Sequence, residues 1–171
     1  MQFQFTQTLA HYIAFNWYFV WESPKRRNNR LISTYLPLVA SVVLVFIRRA
    51  GITNWEISDF VLIGLGIIFV ALAKPLVFFI IKRRITKLIQ ASPAESVIGE
   101  RTVFINPTHI AMESKVGKGV FECEHFTECI ETSAFFYMFL SENQGLILPK
   151  SDMPAEIQAE LKRILPNLTQ K

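Results

Sequence analysis

The sequence predicts an α+β membrane protein. It would consist of a two-helix transmembrane hairpin and a small antiparallel β domain that a C-terminal helix closes. Three observations predict this class: two long apolar runs fill much of the first half, basic clusters lie outside both runs, and the residues after 91 change to short β patterns. Hydrophobic residues make up 51% of the chain, which is high for a soluble protein.

The first apolar run, Leu31 to Ile47, contains no charged residue. As a helix it would extend roughly 26 Å at about 1.5 Å per residue. A hydrocarbon core is roughly 30 Å thick, and the long side chains of Arg30, Arg48 and Arg49 can reach its boundaries. The alternative is a pair of buried helices in a soluble bundle. Such helices should carry a polar face, and neither run has one.

The second run is interrupted by Lys74, and two spans fit it. If the span is Ile57 to Ala73, Lys74 lies at the inner headgroups and can extend its ammonium group to water. If the span is Phe60 to Ile81, Lys74 is an intramembrane charge that needs a partner or a water-filled path. We favour the first interpretation, and keep Lys74 as a candidate functional charge.

Basic residues flank the hairpin on one predicted side. Those before the first span and after the second are Lys25, Arg26, Arg27, Arg30, Lys82, Arg83, Arg84 and Lys87. The turn from Arg48 to Asp59, which includes Gly51, has two basic residues offset by two acidic ones. Because basic loops stay on the cytoplasmic side, both termini should be cytoplasmic.

The charge is distributed unevenly along the chain. Residues 1–91 contain eleven Lys and Arg against three acids, whereas residues 92–171 contain seven against eleven. A nucleic-acid-binding protein would place its basic surplus on the folded domain. Here that domain is acidic, so we expect no nucleic-acid partner.

The N-terminal 24 residues contain two elements. Gln2 to Phe5 alternates polar and apolar side chains, which predicts a strand too short to be stable alone. We expect it to join the sheet of the C-terminal part. Leu9 to Trp21 is helical in pattern and aromatic, and should lie along the membrane interface or pack on the cytoplasmic domain. Trp17, Trp21 and Trp55 are therefore candidate interface anchors.

We divide the rest into a hairpin, residues 25–91 with spans at about 31–47 and 57–81, and a cytoplasmic β-rich domain, residues 92–171. A linker, Ser92-Pro93-Ala94, joins them. The predicted strands are Glu100–Ile105, His109–Glu113, Val120–Cys123, Ala134–Leu140 and Leu146–Leu148, with a hairpin turn at Gly117-Lys118-Gly119. The strand at Ala134–Leu140 is apolar on both faces, so it should be central and covered twice.

A final amphipathic helix is predicted, with Asp152 as its cap and Pro166 as its stop. It would cover an open edge or face of the sheet. Several antiparallel strands closed by one helix make the domain pleckstrin-homology-like in outline.

Taken together, the layout resembles the YcxB-like family of small bacterial membrane proteins. The resemblance includes the N-terminal Phe3, Phe5 and Thr6, the aromatic helix, the two spans and the basic residues that follow the second span. In the tail the resemblance rests on Glu131-Thr132, the aromatic strand Phe135-Phe136-Tyr137, and Ile147-Leu148-Pro149-Lys150. The resemblance implies a membrane-tethered domain at the inner face of the bacterial membrane. It supplies no catalytic residue.

The same resemblance aligns Cys123, Phe126 and Cys129 with apolar positions spaced three apart. That spacing fits one side of a helical turn, where Cys is a small buried hydrophobe. In a reducing compartment a disulfide is not expected. The cysteine spacing, with His125 between, matches no zinc pattern. We therefore expect no metal and no cofactor.

No nucleophile elbow, phosphate-binding loop or dinucleotide motif occurs. The acidic run Glu122, Glu124, Glu128 and Glu131 could imitate a carboxylate pair. Without a convergent base it is better interpreted as a solvated face of a strand and turn. We therefore expect a protein that is not an enzyme and has no catalytic residues.

The sequence is best explained by a membrane-anchored binding or regulatory module. Its partners would be the lipid bilayer and another membrane or membrane-proximal protein. One alternative is a subunit of an oligomeric pore or transporter, which needs several copies of the chain around Lys74. The others are an immunity protein against a membrane-acting toxin and an enzyme that acts on lipid.

Overall fold

The computed structural model describes residues 1–49, 55–91, 98–141, 144–165 and 168–170. The turn glycine Gly51, the linker Ser92-Pro93-Ala94 and the helix stop Pro166 lie outside the described residues. The chain divides into two compact units, one made of Met1–Phe15 with Ile85–Lys171 and the other of Asn16–Arg84. We call them the sheet unit and the helical unit.

The described helices are α1 (Leu9–Trp17), α2 (Arg27–Arg48), α3 (Ile57–Ala91) and α4 (Ala155–Ile164). The strands are β1 (Gln2–Gln7), β2 (Gly99–Ile105), β3 (His109–Ser114), β4 (Gly117–Glu122), β5 (Glu128–Glu131), β6 (Phe135–Phe139), β7 (Gly145–Pro149) and β8 (Leu168–Gln170). A π-helical turn at Tyr18–Glu22 and a 3₁₀ turn at Pro24–Arg26 lie between α1 and α2.

The first sheet has the strand order β1-β2-β3-β4, and every pair in it is antiparallel. Strand β1 pairs with β2 along its whole length, from Gln2 opposite Phe104 to Gln7 opposite Gly99. Its alternate side chains Phe3 and Phe5 are buried, as the period of two requires. The prediction that the N-terminal strand joins the sheet of the C-terminal part is therefore confirmed.

The second sheet has the order β7-β6-β5-β8. Strand β6 lies between two neighbours, with Phe136 and Met138 buried on one face and Tyr137 and Phe139 on the other. The predicted central strand with two covered faces is confirmed. Strand β8 was not predicted, and it pairs in parallel with β5 rather than antiparallel.

Helix α1 covers part of the second sheet. The Phe15 ring lies 5.1 Å from Phe139 and 6.3 Å from Tyr137, and His11 lies edge-on to Phe135 at 5.6 Å. The segment from Leu9 to Trp21 was predicted either to lie along the membrane interface or to pack on the domain. Its first part, up to Phe15, packs on the domain.

Two local predictions in the tail were wrong. Gly117 and Gly119 lie inside β4, and the hairpin turn is at residues 115–116 instead. Ser114 makes that turn possible, because its hydroxyl accepts hydrogen bonds from the amides of Val116 and Gly117. Asp152 does not cap α4, whose N-cap position is Pro154, and its carboxylate accepts a hydrogen bond from Ser151 instead.

Within the helical unit, α2 and α3 pack closely at one glycine. A Cβ added to Gly66 would lie 3.0 Å from the Leu38 Cα, whereas one added to Gly64 would meet nothing within 4 Å. The small-residue contact allows the two helix backbones to approach each other. The sequence contains no GxxxG, so only the structure identifies which glycine is at the contact.

We predict that Gly145→Ala destabilises the sheet unit by about 1–3 kcal/mol, the range for overpacking a filled site. An added Cβ would collide with the Met138 carbonyl and lie 2.9 Å from the Phe15 ring. Gly117→Ala is the matched control, because its added Cβ meets nothing within 4 Å. Thermal unfolding of the full chain in detergent measures the difference, and equal melting temperatures for both variants would contradict the packing described here.

Candidate functional site

The basic residues predicted as anchors lie in the 3₁₀ turn before α2, at the start of α2 and along the last third of α3. Two of them, Arg26 and Arg30, are half-buried. The others are exposed: Lys25, Arg27, Lys82, Arg83, Arg84 and Lys87. Arg26 lies over the Phe19 ring at 3.9 Å, and Arg30 lies over Trp21 at 5.6 Å. These two guanidinium groups therefore contact aromatic faces as well as carrying charge.

The predicted aromatic anchors occur at both ends of the hairpin. Trp17 and Trp21 are stacked with ring centroids 5.5 Å apart, and Trp17 meets Phe78 of α3 edge-on at 5.3 Å. At the other end Trp55 is exposed and contacts Phe60 at 5.6 Å. An apolar ring with a polar N–H suits a boundary between apolar and aqueous media.

Charge pairs join the end of α2 to the start of α3. Arg49 Nε donates to Asp59 Oδ2 at 2.6 Å, and the same oxygen accepts from the Glu56 amide at 3.0 Å. Arg48 pairs with the exposed Glu56 at 3.3 Å. Sequence reasoning only counted these four charges as offsetting each other, and it missed that Asp59 is buried. Its position three residues after Glu56, in the first turn of α3, is the signal for such a cap.

Lys74 is exposed on α3, which continues as one helix past Pro75 to Ala91. At about 1.5 Å per residue this helix is roughly 52 Å long, well beyond a hydrocarbon core of about 30 Å. Both predicted spans, Ile57–Ala73 and Phe60–Ile81, lie within it.

Segments 24–48 and 57–91 are long and apolar enough to cross a membrane. In the most apolar window of each, only 11% of the residues are buried. The core helix of a soluble protein buries most of such a window. Here large apolar side chains are exposed on nearly every turn from Leu31 to Ile47 and from Ile57 to Ile80.

In the sheet unit, one acidic side chain is buried against two lysines. The Glu131 Oε1 atom lies 2.6 Å from Lys150 Nζ and 2.7 Å from Lys162 Nζ. Burial alone would raise the pKa of Glu131, but the hydrogen bonds and charges of the two lysines bring it below its ordinary value. The expectation that the whole acidic run is solvated is therefore wrong for Glu131, although Glu122 and Glu124 are exposed.

Cys123, Phe126 and Cys129 are all buried in the hydrophobic core of the sheet unit. The predicted helical turn holds for Cys123, which begins a 3₁₀ turn, whereas Cys129 lies in β5. Burial raises the pKa of the Cys123 thiol and raises that of Cys129 to about 12. Both are free thiols, and they behave as small hydrophobes with little thiolate character.

These buried residues lie in the region that can be compared with a known family. Residues 105–165 match the family model described as YcxB-like protein. The resemblance inferred from the sequence is thereby confirmed for this part of the chain. Glu131 and Lys150, on which the resemblance partly rests, fall inside the match, and the fold brings them together as an ion pair. No curated protein and no solved structure matches the chain.

We predict that Glu131→Gln lowers the stability of the sheet unit by about 1–3 kcal/mol at neutral pH, because two lysines lose a partly buried counter-charge. The pKa of Glu131 is lower in the folded state than its ordinary value of 4.5. The stabilisation is therefore present above that value and is lost as pH falls through the lowered pKa.

Melting temperatures of the full chain in detergent, measured from pH 7 to pH 3, test this. Glu124→Gln is the control, because this substitution removes the same charge from an exposed side chain. If Glu131→Gln melts like the control at neutral pH, the ion pair does not stabilise the fold.

Proposed function

We propose that α2 and α3 form a transmembrane hairpin in the bacterial inner membrane, with both termini in the cytoplasm. The single observation that carries this proposal is the 11% burial of the two apolar windows. Burying one large apolar side chain is worth about 1.5–3 kcal/mol, so a whole hairpin of exposed ones needs an apolar medium. The basic residues that flank the two apolar runs and the interface-type aromatic side chains support the same orientation.

The proposed role is that of a membrane-anchored binding or regulatory module without enzymatic activity. The two sheets and the C-terminal helix α4 support a pleckstrin-homology-like outline for the presented domain. Strand β4 is an edge strand of the first sheet and exposes Val120, and the turn before it exposes Val116. An exposed apolar edge suits contact with a membrane-proximal protein. Tethering concentrates the module near such a partner, so modest contacts are sufficient.

The anchoring is tested by fractionation and by thiol labelling. We expect the full chain to stay in membranes after carbonate washing. The native cysteines are buried with raised pKa values, so they should react slowly and can be kept. Val116→Cys should react with a membrane-impermeant maleimide only after permeabilisation. Trp55→Cys, which lies just before α3, should react in intact spheroplasts. The reverse labelling pattern would overturn the orientation.

The pore or transporter alternative makes a different prediction at Lys74. Under the anchored-module proposal, Lys74→Leu leaves membrane insertion intact and changes no ion flux in proteoliposomes. Lys82→Leu is the matched control, because it removes the same charge from an exposed position two turns further along α3. A flux in the wild type that Lys74→Leu abolishes and Lys82→Leu keeps would favour the pore.

A further inference from the structure

The helical unit contains a pocket between α2 and α3 of about 340 Å³. Its polar wall comes from the start of α2 and the turn before it, with Arg26, Arg30, Ser33 and Thr34. Its apolar wall is formed in part by Trp21 and by Ala73 of α3. The lining residues, all in the described part of the chain, include two arginines and no acidic residue. The pocket is therefore positively charged at one wall and apolar at the other.

Arg30 indicates what the pocket could hold. One of its terminal guanidinium nitrogens, Nη1, is buried and has no hydrogen-bond partner among the described residues. Buried donors in native proteins nearly always have a partner, which can be a ligand. A guanidinium group binds phosphate oxygens through two parallel hydrogen bonds, and the hydroxyls of Ser33 and Thr34 line the same pocket as further donors.

The apolar wall decides between two sources of phosphate. A soluble phosphate would gain nothing from Ala73, Leu76 and Val77, which also line the pocket. The first carbons of an acyl chain would be buried against them. The pocket volume is at the lower end of ligand sites, enough for a headgroup and the start of a chain. Basic pockets between helices at the cytoplasmic side of a membrane are typical sites for anionic lipid headgroups.

We propose that this pocket binds the headgroup phosphate of an anionic phospholipid, with Arg30 as its main phosphate ligand. The inference rests on the proposed membrane insertion of α2 and α3. It adds to that proposal a specific lipid site that orients the hairpin in the inner leaflet.

The test measures lipid binding to the full chain in detergent by native mass spectrometry. The probes are phosphatidylglycerol, phosphatidylcholine and glycerol 3-phosphate. We expect the wild type to bind phosphatidylglycerol at least about tenfold more tightly than the other two, because only this probe has both a net negative charge and acyl chains. Arg30→Gln should weaken phosphatidylglycerol binding about tenfold to a hundredfold, since a charge-assisted contact is lost.

Arg27→Gln is the matched control. It lies on the same helix, removes the same charge, is exposed and does not line the pocket. General surface attraction is worth about fivefold per basic residue, so this variant should lose no more than that. Ala73→Leu provides a second variant, which fills the pocket and keeps every charge. It should also weaken phosphatidylglycerol binding while leaving the surface charge unchanged.

Three results would overturn the inference: equal losses for Arg30→Gln and Arg27→Gln, no preference over phosphatidylcholine, or equally tight binding of glycerol 3-phosphate. The last would indicate a site for soluble phosphate. A wild type that resists carbonate extraction but shows no lipid preference overturns this inference alone. A wild type released by carbonate overturns the membrane proposal as well.

Discussion

The pairing of β1 with β2 constrains the rest of the chain. It joins Gln2–Gln7 to Gly99–Ile105, so the chain leaves the sheet unit, passes through α2 and α3, and returns to the same unit. In the membrane arrangement that we propose, a single spanning helix would place the two paired strands on opposite sides of the membrane. Two spanning helices would return the chain to its starting side. The pairing of β1 with β2 therefore requires the helices between them to return the chain to the sheet unit.

The two units differ in how their buried charged side chains are partnered. In the sheet unit the buried Glu131 is paired with Lys150 and Lys162, and the core around the cysteines is apolar. In the helical unit Asp59 pairs with Arg49, while Arg30 keeps a buried nitrogen without a partner among the described residues. Glu131 Oε2, Asp59 Oδ1 and Arg49 Nη2 also lack a hydrogen-bond partner among the described residues, but each of those side chains is in an ion pair. Arg30 instead contacts the Trp21 ring and lines a pocket, where a ligand can supply the missing partner.

Much of the fold followed from patterns of period and composition. The alternation in Gln2–Phe5, the aromatic strand at Phe135–Phe139 and the apolar stripe of α4 each depend on nearest neighbours along one element. The errors occurred where the hydrogen-bond or ion-pair partner of a side chain decides the structure. Ser114 closes the β3–β4 turn in place of the glycines, and the lysines that bury Glu131 come from 19 and more residues along the chain.

The sequence by itself determined that two long apolar helices connect an N-terminal strand to a β-rich tail, because hydropathy and period are properties of local segments. It also identified the basic and aromatic residues around those helices. Only the tertiary structure decided which of them meet. Gly66 rather than Gly64 permits the helix contact, β8 adds in parallel to β5, and Arg30 rather than Arg27 lines the pocket. Each of these depends on the direction of a side chain relative to another element, and residue spacing along one segment contains no such information.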